Sequence, residues 1–204
     1  FKHFLGSTNG NKSTSIIKLF QQGDKSLITL NRKGGILWIS ESGHKLYQWN
    51  TLPSGISDFT ANTGVQLNER QILFASYGRL YMLDLHSKGI SVLSGPAKAK
   101  QLEIGQLERL FNGKIIVSCF GDLMQEIILE GNTYSLQPYG DLSKYSDNTT
   151  YFKIDQHNRL YISNDELSIL VFVPSSDGTS HVFERELKVT GGIRGLCEDP
   201  QTNA

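Results

Sequence analysis

Hydrophobic positions along this chain fall in short runs rich in Ile, Val, Leu, Phe and Tyr, and Gly, Asn, Asp or Ser closes each run. No window carries the i, i+3, i+4, i+7 apolar spacing that would bury one stripe of a helix. The pattern predicts an all-β chain. FKHF at Phe1–Phe4 alternates like a lone strand and runs into a polar Ser/Asn loop. Four strands are expected next, at Ser15–Phe20, Ser26–Leu30, Gly35–Ser40 and Lys45–Trp49. A second set begins with ISDFT near Ile56 and continues at QILFA near Ile72, at Arg79–Leu85 and at Ile90–Ser94. A third set runs through LERLF at Leu107, then Lys114–Phe120, Leu123–Leu129 and Thr133–Tyr139. A fourth takes TYFKI at Thr150, RLYIS at Arg159, Leu167–Val173 and His181–Leu187. IRGLCED at Ile193 opens a fifth.

Four strands every roughly 40–50 residues is the period of a β-propeller blade. A sandwich also gives short strands at close intervals. The propeller is favoured by the repeated order of features: a short strand, an aliphatic or aromatic strand, a longer hydrophobic strand and a last strand alternating with polar residues. That gradient suits a blade whose middle strands are covered on both faces while the outermost meets water. The expected organisation is a single partial propeller over residues 1–204, with blades near 15–50, 56–95, 104–140 and 150–187, and the start of another at 191–204.

The best-formed copy of the unit is FKIDQHNRLYISND, Phe152 to Asp165. An apolar strand runs into Asp155, whose carboxylate can bond its own backbone in an Asx-turn. Asn158 can take the left-handed backbone of a tight reversal. With Tyr161 and Ser163 in the following strand, this stretch resembles the two-component regulator propeller repeat, found in periplasmic sensor regions of hybrid two-component proteins of gut Bacteroidetes. That repeat places Asp before a turn Gly, then an aliphatic-Trp-Ile-Gly-Thr strand. Asn158 stands in the Gly place, Tyr161 in the Trp place and Ser163 in the Thr place. Trp38 of ILWIS keeps the tryptophan, out of register with its turn, and IRGLCEDPQTN looks like the first half of another copy. The resemblance implies a periplasmic propeller that does no chemistry itself, responds to glycan-derived ligands, and belongs to a sensor histidine kinase whose kinase, membrane and output regions lie outside these residues. It also implies roughly three further blades, and pairing of two copies through their propellers as a homodimer.

Charge narrows the alternatives. Twenty basic residues balance twenty acidic ones. A nucleic-acid or anionic-membrane surface ordinarily carries a basic excess, so neither is an expected partner. No run approaches the ~18 apolar residues of a membrane span, so any anchoring is expected from other regions. Cys119 and Cys197 sit in apolar stretches, as buried thiols do, and lack metal-ligand spacing. No metal or cofactor is expected.

Catalysis needs convergent groups. His3, His44, His86, His157 and His181 fall in or beside turns or outer strands, and none is spaced as a ligand pair. His157 beside Asp155 is the one local acid–histidine candidate, and Asp155 already has a turn role. Ligand recognition is instead expected from the loops between each blade's second and third strands. These hold Arg32 and Lys33 beside Asn31, then Tyr77 and Arg79, then Asp122, then Asn164, Asp165 and Glu166. Arg32, Lys33, Tyr77, Arg79, Asp122, Asn164 and Glu166 are the candidate contacts for an oligosaccharide or other small polar ligand. Trp38, Trp49, Tyr47 and Tyr81 have the chemistry to stack on a sugar but also suit blade packing. Two alternatives stay open: a propeller enzyme acting on polysaccharide, which would need a His, Glu, Arg and Tyr cluster, and a protein-interaction scaffold.

Overall fold

The computed structural model of the protein describes residues 15–96, 104–119, 124–140, 142, 149–164, 168–190 and 193. Among these residues the structure is strands and turns, with no α-helix. The first sheet is β1 (Ile16–Gln21), β2 (Leu27–Asn31), β3 (Ile36–Ile39) and β4 (Lys45–Trp49). The second is β5 (Thr63–Gln66), β6 (Gln71–Ser76), β7 (Arg79–Asp84) and β8 (Gly89–Val92). The third is β9 (Ile104–Arg109), β10 (Ile115–Cys119), β11 (Gln125–Glu130) and β12 (Thr133–Pro138). The fourth is β13 (Thr149–Ile154), β14 (Leu160–Asn164), β15 (Ser168–Pro174) and β16 (His181–Lys188). Within each sheet the strands lie side by side in chain order. Consecutive strands pair with one another, so each sheet assembles from neighbours in sequence. Ile193, where a fifth set was expected to start, is buried, but the strand expected around it lies outside the described residues.

One expected strand is elsewhere. ISDFT near Ile56 is not the first strand of the second sheet; Ser57 makes only an isolated bridge to Thr51, and Phe59 is a buried plug. The strand is TGVQ, Thr63–Gln66, whose hydrophobic signal is a single Val. A Cβ on Gly64 would lie 2.6 Å from the Leu30 side chain and 2.9 Å from the Leu73 carbonyl oxygen. The close approach demands glycine there, and glycine erases the alternation that marks a strand.

The chain divides into two compact units, Phe1–Tyr77 with Tyr81–Ser91 and Gly78–Leu80 with Val92–Ala204. The first unit is closed by Ile28, Leu30 and Ile36 meeting Phe59, Ile72 and Phe74, all with no solvent exposure. Phe59 and Phe74 stack at 5.8 Å, and Phe74 and Tyr81 at 5.3 Å. In the second unit Ile116, Leu160, Ile162 and Phe172 form the equivalent centre with Phe152 and Leu142. Each such side chain contributes about 1.5–3 kcal/mol by leaving water.

The innermost hairpins of the second unit carry a matching device. Register slips between Ser118 and Cys119 where β10 meets β9, and between Thr149 and Tyr151 where β13 meets β14. Each bulge leaves a backbone N–H without its ladder partner. Ser118 Oγ accepts the N–H of Gln106 and Ser163 Oγ accepts that of Tyr151, both at 3.0 Å. The Gln106 side chain then joins the two inner strands, donating to Phe152 O at 2.6 Å and accepting from Phe152 N at 3.2 Å.

The Asp155–Asn158 turn is built as its residues predict. Asp155 Oδ1 accepts the backbone N–H groups of His157 at 2.9 Å and Arg159 at 2.8 Å, and Asn158 is left-handed at φ 59. The other carboxylate oxygen accepts from Arg159 Nε at 2.7 Å and Tyr161 Oη at 3.1 Å. Tyr161 supports this turn from outside the buried core. Its ring is half-buried beside the Arg159 guanidinium, 5.8 Å away, while its strand neighbours Leu160, Ile162 and Ser163 have no solvent exposure.

Candidate ligand site

Antiparallel strands put alternate turns at opposite ends of a sheet, and the first unit offers chemistry at both. At one end lie the β2–β3 connection, with Arg32 and Lys33, and the β6–β7 turn, with Tyr77. The segment between the two sheets ties these turns together. Thr60 Oγ1 donates to Arg32 O at 2.6 Å, and Ser76 Oγ donates to Thr60 O at 2.6 Å. Gly35 N donates to Phe59 O at 2.9 Å and Ala61 N to Asn31 O at 3.1 Å. Gly35, at φ 72, has no space for a Cβ against the Trp49 carbonyl, so this connection admits only glycine. Asn31 is buried and its amide donates to Gly35 O at 3.1 Å, which makes it a brace for the loop.

Arg32 and Lys33 are exposed on that braced loop. Tyr77 and Gly78 form a two-residue turn with φ 49 and φ 70, a conformation in which Asn would be the low-cost first residue. A bulky side chain held left-handed while 56% exposed is a strained and conspicuous choice. Arg79, also exposed, begins β7. Asn164 closes β14, while Asp122, Asp165 and Glu166 lie outside the described residues. Arg32, Lys33 and Tyr77 thus sit on two turns joined through Thr60.

The opposite end holds a cleft of about 490 Å³, formed by the β1–β2, β5–β6 and β7–β8 turns together with β3. Asp24, Trp38, Glu69, Arg70 and Lys88 line it. Trp38 Nε1 donates to Ser26 Oγ at 2.7 Å, and Ser26 Oγ donates to Asp24 Oδ1 at 2.5 Å. Hydrogen bonds from the Ser26 hydroxyl and backbone N–H hold the Asp24 carboxyl below its usual range. Trp49 lies nearly parallel to Trp38 at 6.3 Å and donates its own indole N–H to Lys88 O at 2.8 Å. Sequence reasoning passed over this cleft because its residues come from three turns and one strand with no common spacing. Of the four aromatics weighed for stacking, Trp49 and Tyr81 are core, Tyr47 packs edge-on against Trp49, and Trp38 lines the cleft.

The second unit holds a polar cluster that sequence reasoning missed. His181, expected at the surface, is 1% exposed. Its ring bonds Tyr139 Oη through Nδ1 at 3.1 Å and Asn158 O through Nε2 at 2.7 Å. Burial pushes the Tyr139 hydroxyl up to about 12. Burial also pushes His181 below its usual range, against the hydrogen bond to Asn158 O, which favours the charged ring. For Asp155, burial works to raise the carboxyl, and the hydrogen bonds from Arg159, His157 and Tyr161 outweigh it, leaving the group below its usual range. His157 is exposed and meets Asp155 through its backbone N–H. The Asp155 carboxylate and the His181 imidazole are therefore both occupied by structural partners. Cys119 is buried in β10, and Cys197 lies outside the described residues.

No protein-family pattern matches this chain, and no curated protein sequence does. Solved structures do. The β-propeller domain of Cps50 (Swd1) from Myceliophteria thermophila is similar with TM-score 0.58 at 11% identity, over 85% of this chain and 60% of that one. The four sheets are β-propeller blades. The extracellular domain of a B. thetaiotaomicron protein named as a hybrid two-component system matches with TM-score 0.57 at 14% identity. That match covers 87% of this chain and 23% of that one. PorZ, a surface component of the type-IX secretion system of Porphyromonas gingivalis, gives TM-score 0.64 at 13% identity, over 98% of this chain and 32% of that one. The chain spans less than two thirds of each of these structures, so these blades correspond to part of a larger protein in every case.

Proposed function

We propose that this chain is the ligand-responsive, non-catalytic part of an extracytoplasmic sensor propeller belonging to a hybrid two-component signalling protein. The supporting observation is the similarity of its blades to the extracellular domain of such a system in B. thetaiotaomicron. The ligand is a glycan fragment or similar polar molecule, held by the connections between second and third strands. Arg32, Lys33, Tyr77 and Arg79 serve the first two blades, and Asp122, Asn164 and Glu166 the last two. Strain at Tyr77 supports this use, since an aromatic held left-handed and 56% exposed is open to a ligand. The involvement of Asp155 and His181 in structural hydrogen bonds supports binding over turnover. Signalling would shift two associated copies between arrangements, with the ligand favouring one.

The test has two parts. Protease treatment of spheroplasts should digest the chain in its native protein, and purified protein incubated with oligosaccharides should bind without releasing reducing ends. Protection in spheroplasts, or measurable product release, would overturn the reading.

A further inference from the structure

The cleft at the far end of the first two blades plays no part in the reading above. We propose that it is a binding site for a neutral, polyhydroxylated ring, a saccharide unit seated against Trp38. Its indole is held in orientation by the Trp38–Ser26–Asp24 chain of hydrogen bonds and is backed by Trp49, so little freedom is lost on binding. An indole offers an apolar face, which matches the C–H face of a sugar ring. The volume, about 490 Å³, lies within the roughly 300–1,000 Å³ of small-molecule sites.

Charge chooses the ligand. Asp24 and Glu69 oppose Arg70 and Lys88 around the cleft, with His86 also in its wall. An anion would meet two carboxylates, and a cation would meet two cations. A hydroxyl group donates to the carboxylates and accepts from the Arg and Lys, so it can use all four. Three of the four charges are also already attended. Arg70 Nη2 lies 3.8 Å from Asp84 Oδ2, Lys88 Nζ stands 4.8 Å from the centre of the Tyr47 ring, and Asp24 accepts twice from Ser26. None of these three is a bare charge awaiting a counter-ion, yet each retains hydrogen-bonding capacity. A free amino acid, carrying both charges, is the competing occupant.

Calorimetric titration of the chain with cellotetraose, xylotetraose and maltotetraose tests this, with tetragalacturonate and leucine alongside. At least one neutral tetrasaccharide should bind and alter tryptophan fluorescence. Glu69 is exposed and outside the core, so Glu69→Ala should leave the melting temperature intact and weaken binding about tenfold, the worth of a charge-assisted hydrogen bond. Trp38→Phe should weaken it further. Binding unchanged in both variants, no binding by any neutral saccharide, or tighter binding of tetragalacturonate or leucine would each overturn the proposal. Should Tyr77→Ala abolish binding while Glu69→Ala preserves it, the ligand sits at the other end: the cleft inference falls and the sensor reading stands. Product release in the same mixtures would remove the sensor reading without touching the cleft.

Discussion

The imidazole of His181 faces the backbone carbonyl of Asn158 at 2.7 Å, and a carbonyl can only accept. Nε2 must therefore carry the proton, and Nδ1 receives the hydroxyl proton of Tyr139, whose own ionisation is pushed up to about 12. The ring is neutral, buried, and joins the β12 end to the turn before β14. Lys114 lies 5.2 Å from the centre of the Tyr139 ring and is paired with Glu126 at 3.1 Å, and the Glu126 charge also helps keep the Tyr139 hydroxyl protonated.

Acid should loosen this joint. Burial lowers the folded-state pKa of His181 below the ordinary 6.5, so the unfolded chain takes up a proton first as pH falls. The contribution is fully present above about 6.5 and is lost as pH drops toward the folded value. Urea midpoints measured at pH 7.5 and 5.5 should fall for the natural protein. His181→Gln can keep a donor for Asn158 O without titrating, and its midpoint should move less. Equal shifts in both would show that His181 does not control the acid response.

Asn158 is also a place where the turn can be improved. Its φ of 59 suits glycine, and its side-chain Oδ1 is buried without a hydrogen-bond partner. Asn158→Gly relieves both, at the cost of a more flexible unfolded chain. The carbonyl that receives His181 belongs to the backbone and survives the change. The expected result is a gain of about 0.5–1 kcal/mol in denaturant unfolding. Asp155→Ala should do the opposite, losing about 3 kcal/mol as two backbone N–H groups and the Arg159 side chain lose their acceptor.

Gly64→Ala probes the strand that hydrophobic patterning missed. The added methyl would press on Leu30 and on the Leu73 carbonyl, one flexible neighbour and one fixed. Overpacking of this kind costs about 1–3 kcal/mol. An unchanged midpoint would mean that β5 and β6 do not approach as closely as this register requires.

The blades were legible because their middle strands are dominated by aliphatic and aromatic residues: LITL, ILFAS, IIVSC and LVFV need no partner information to be recognised. The innermost strands were harder, since they trade hydrophobic bulk for close approach; Gly64 is the extreme case. The Asp155 turn could be read because its whole hydrogen-bond pattern lies within a few residues. His181 could not, because its partners Tyr139 and Asn158 are distant in sequence and its strand otherwise reads as exposed and charged. The Trp38 cleft has the same difficulty. Its wall is assembled from turns whose residues, taken singly, look like ordinary solvated loops.

Adjacent residues of β14 separate packing from polar support. Ile162 has no solvent exposure and sits in the core with Leu160 and Phe172, whereas the Tyr161 ring is half-buried against Arg159 with its hydroxyl on Asp155. Ile162→Ala should therefore cost about 2–5 kcal/mol through lost burial and a residual cavity. Tyr161→Ala should cost less, about 1–2 kcal/mol, because only part of its ring leaves water on folding. Tyr161→Phe isolates the hydroxyl. Asp155 Oδ2 would keep Arg159 as a partner, so the loss should stay near 1 kcal/mol, and it should vanish as pH falls below the folded pKa of Asp155, where the carboxylate no longer needs donors. Guanidinium unfolding of the three variants side by side gives the order. If Tyr161→Ala proved as damaging as Ile162→Ala, the ring would have to be packed within the core, and the Arg159 contact would not describe its resting place.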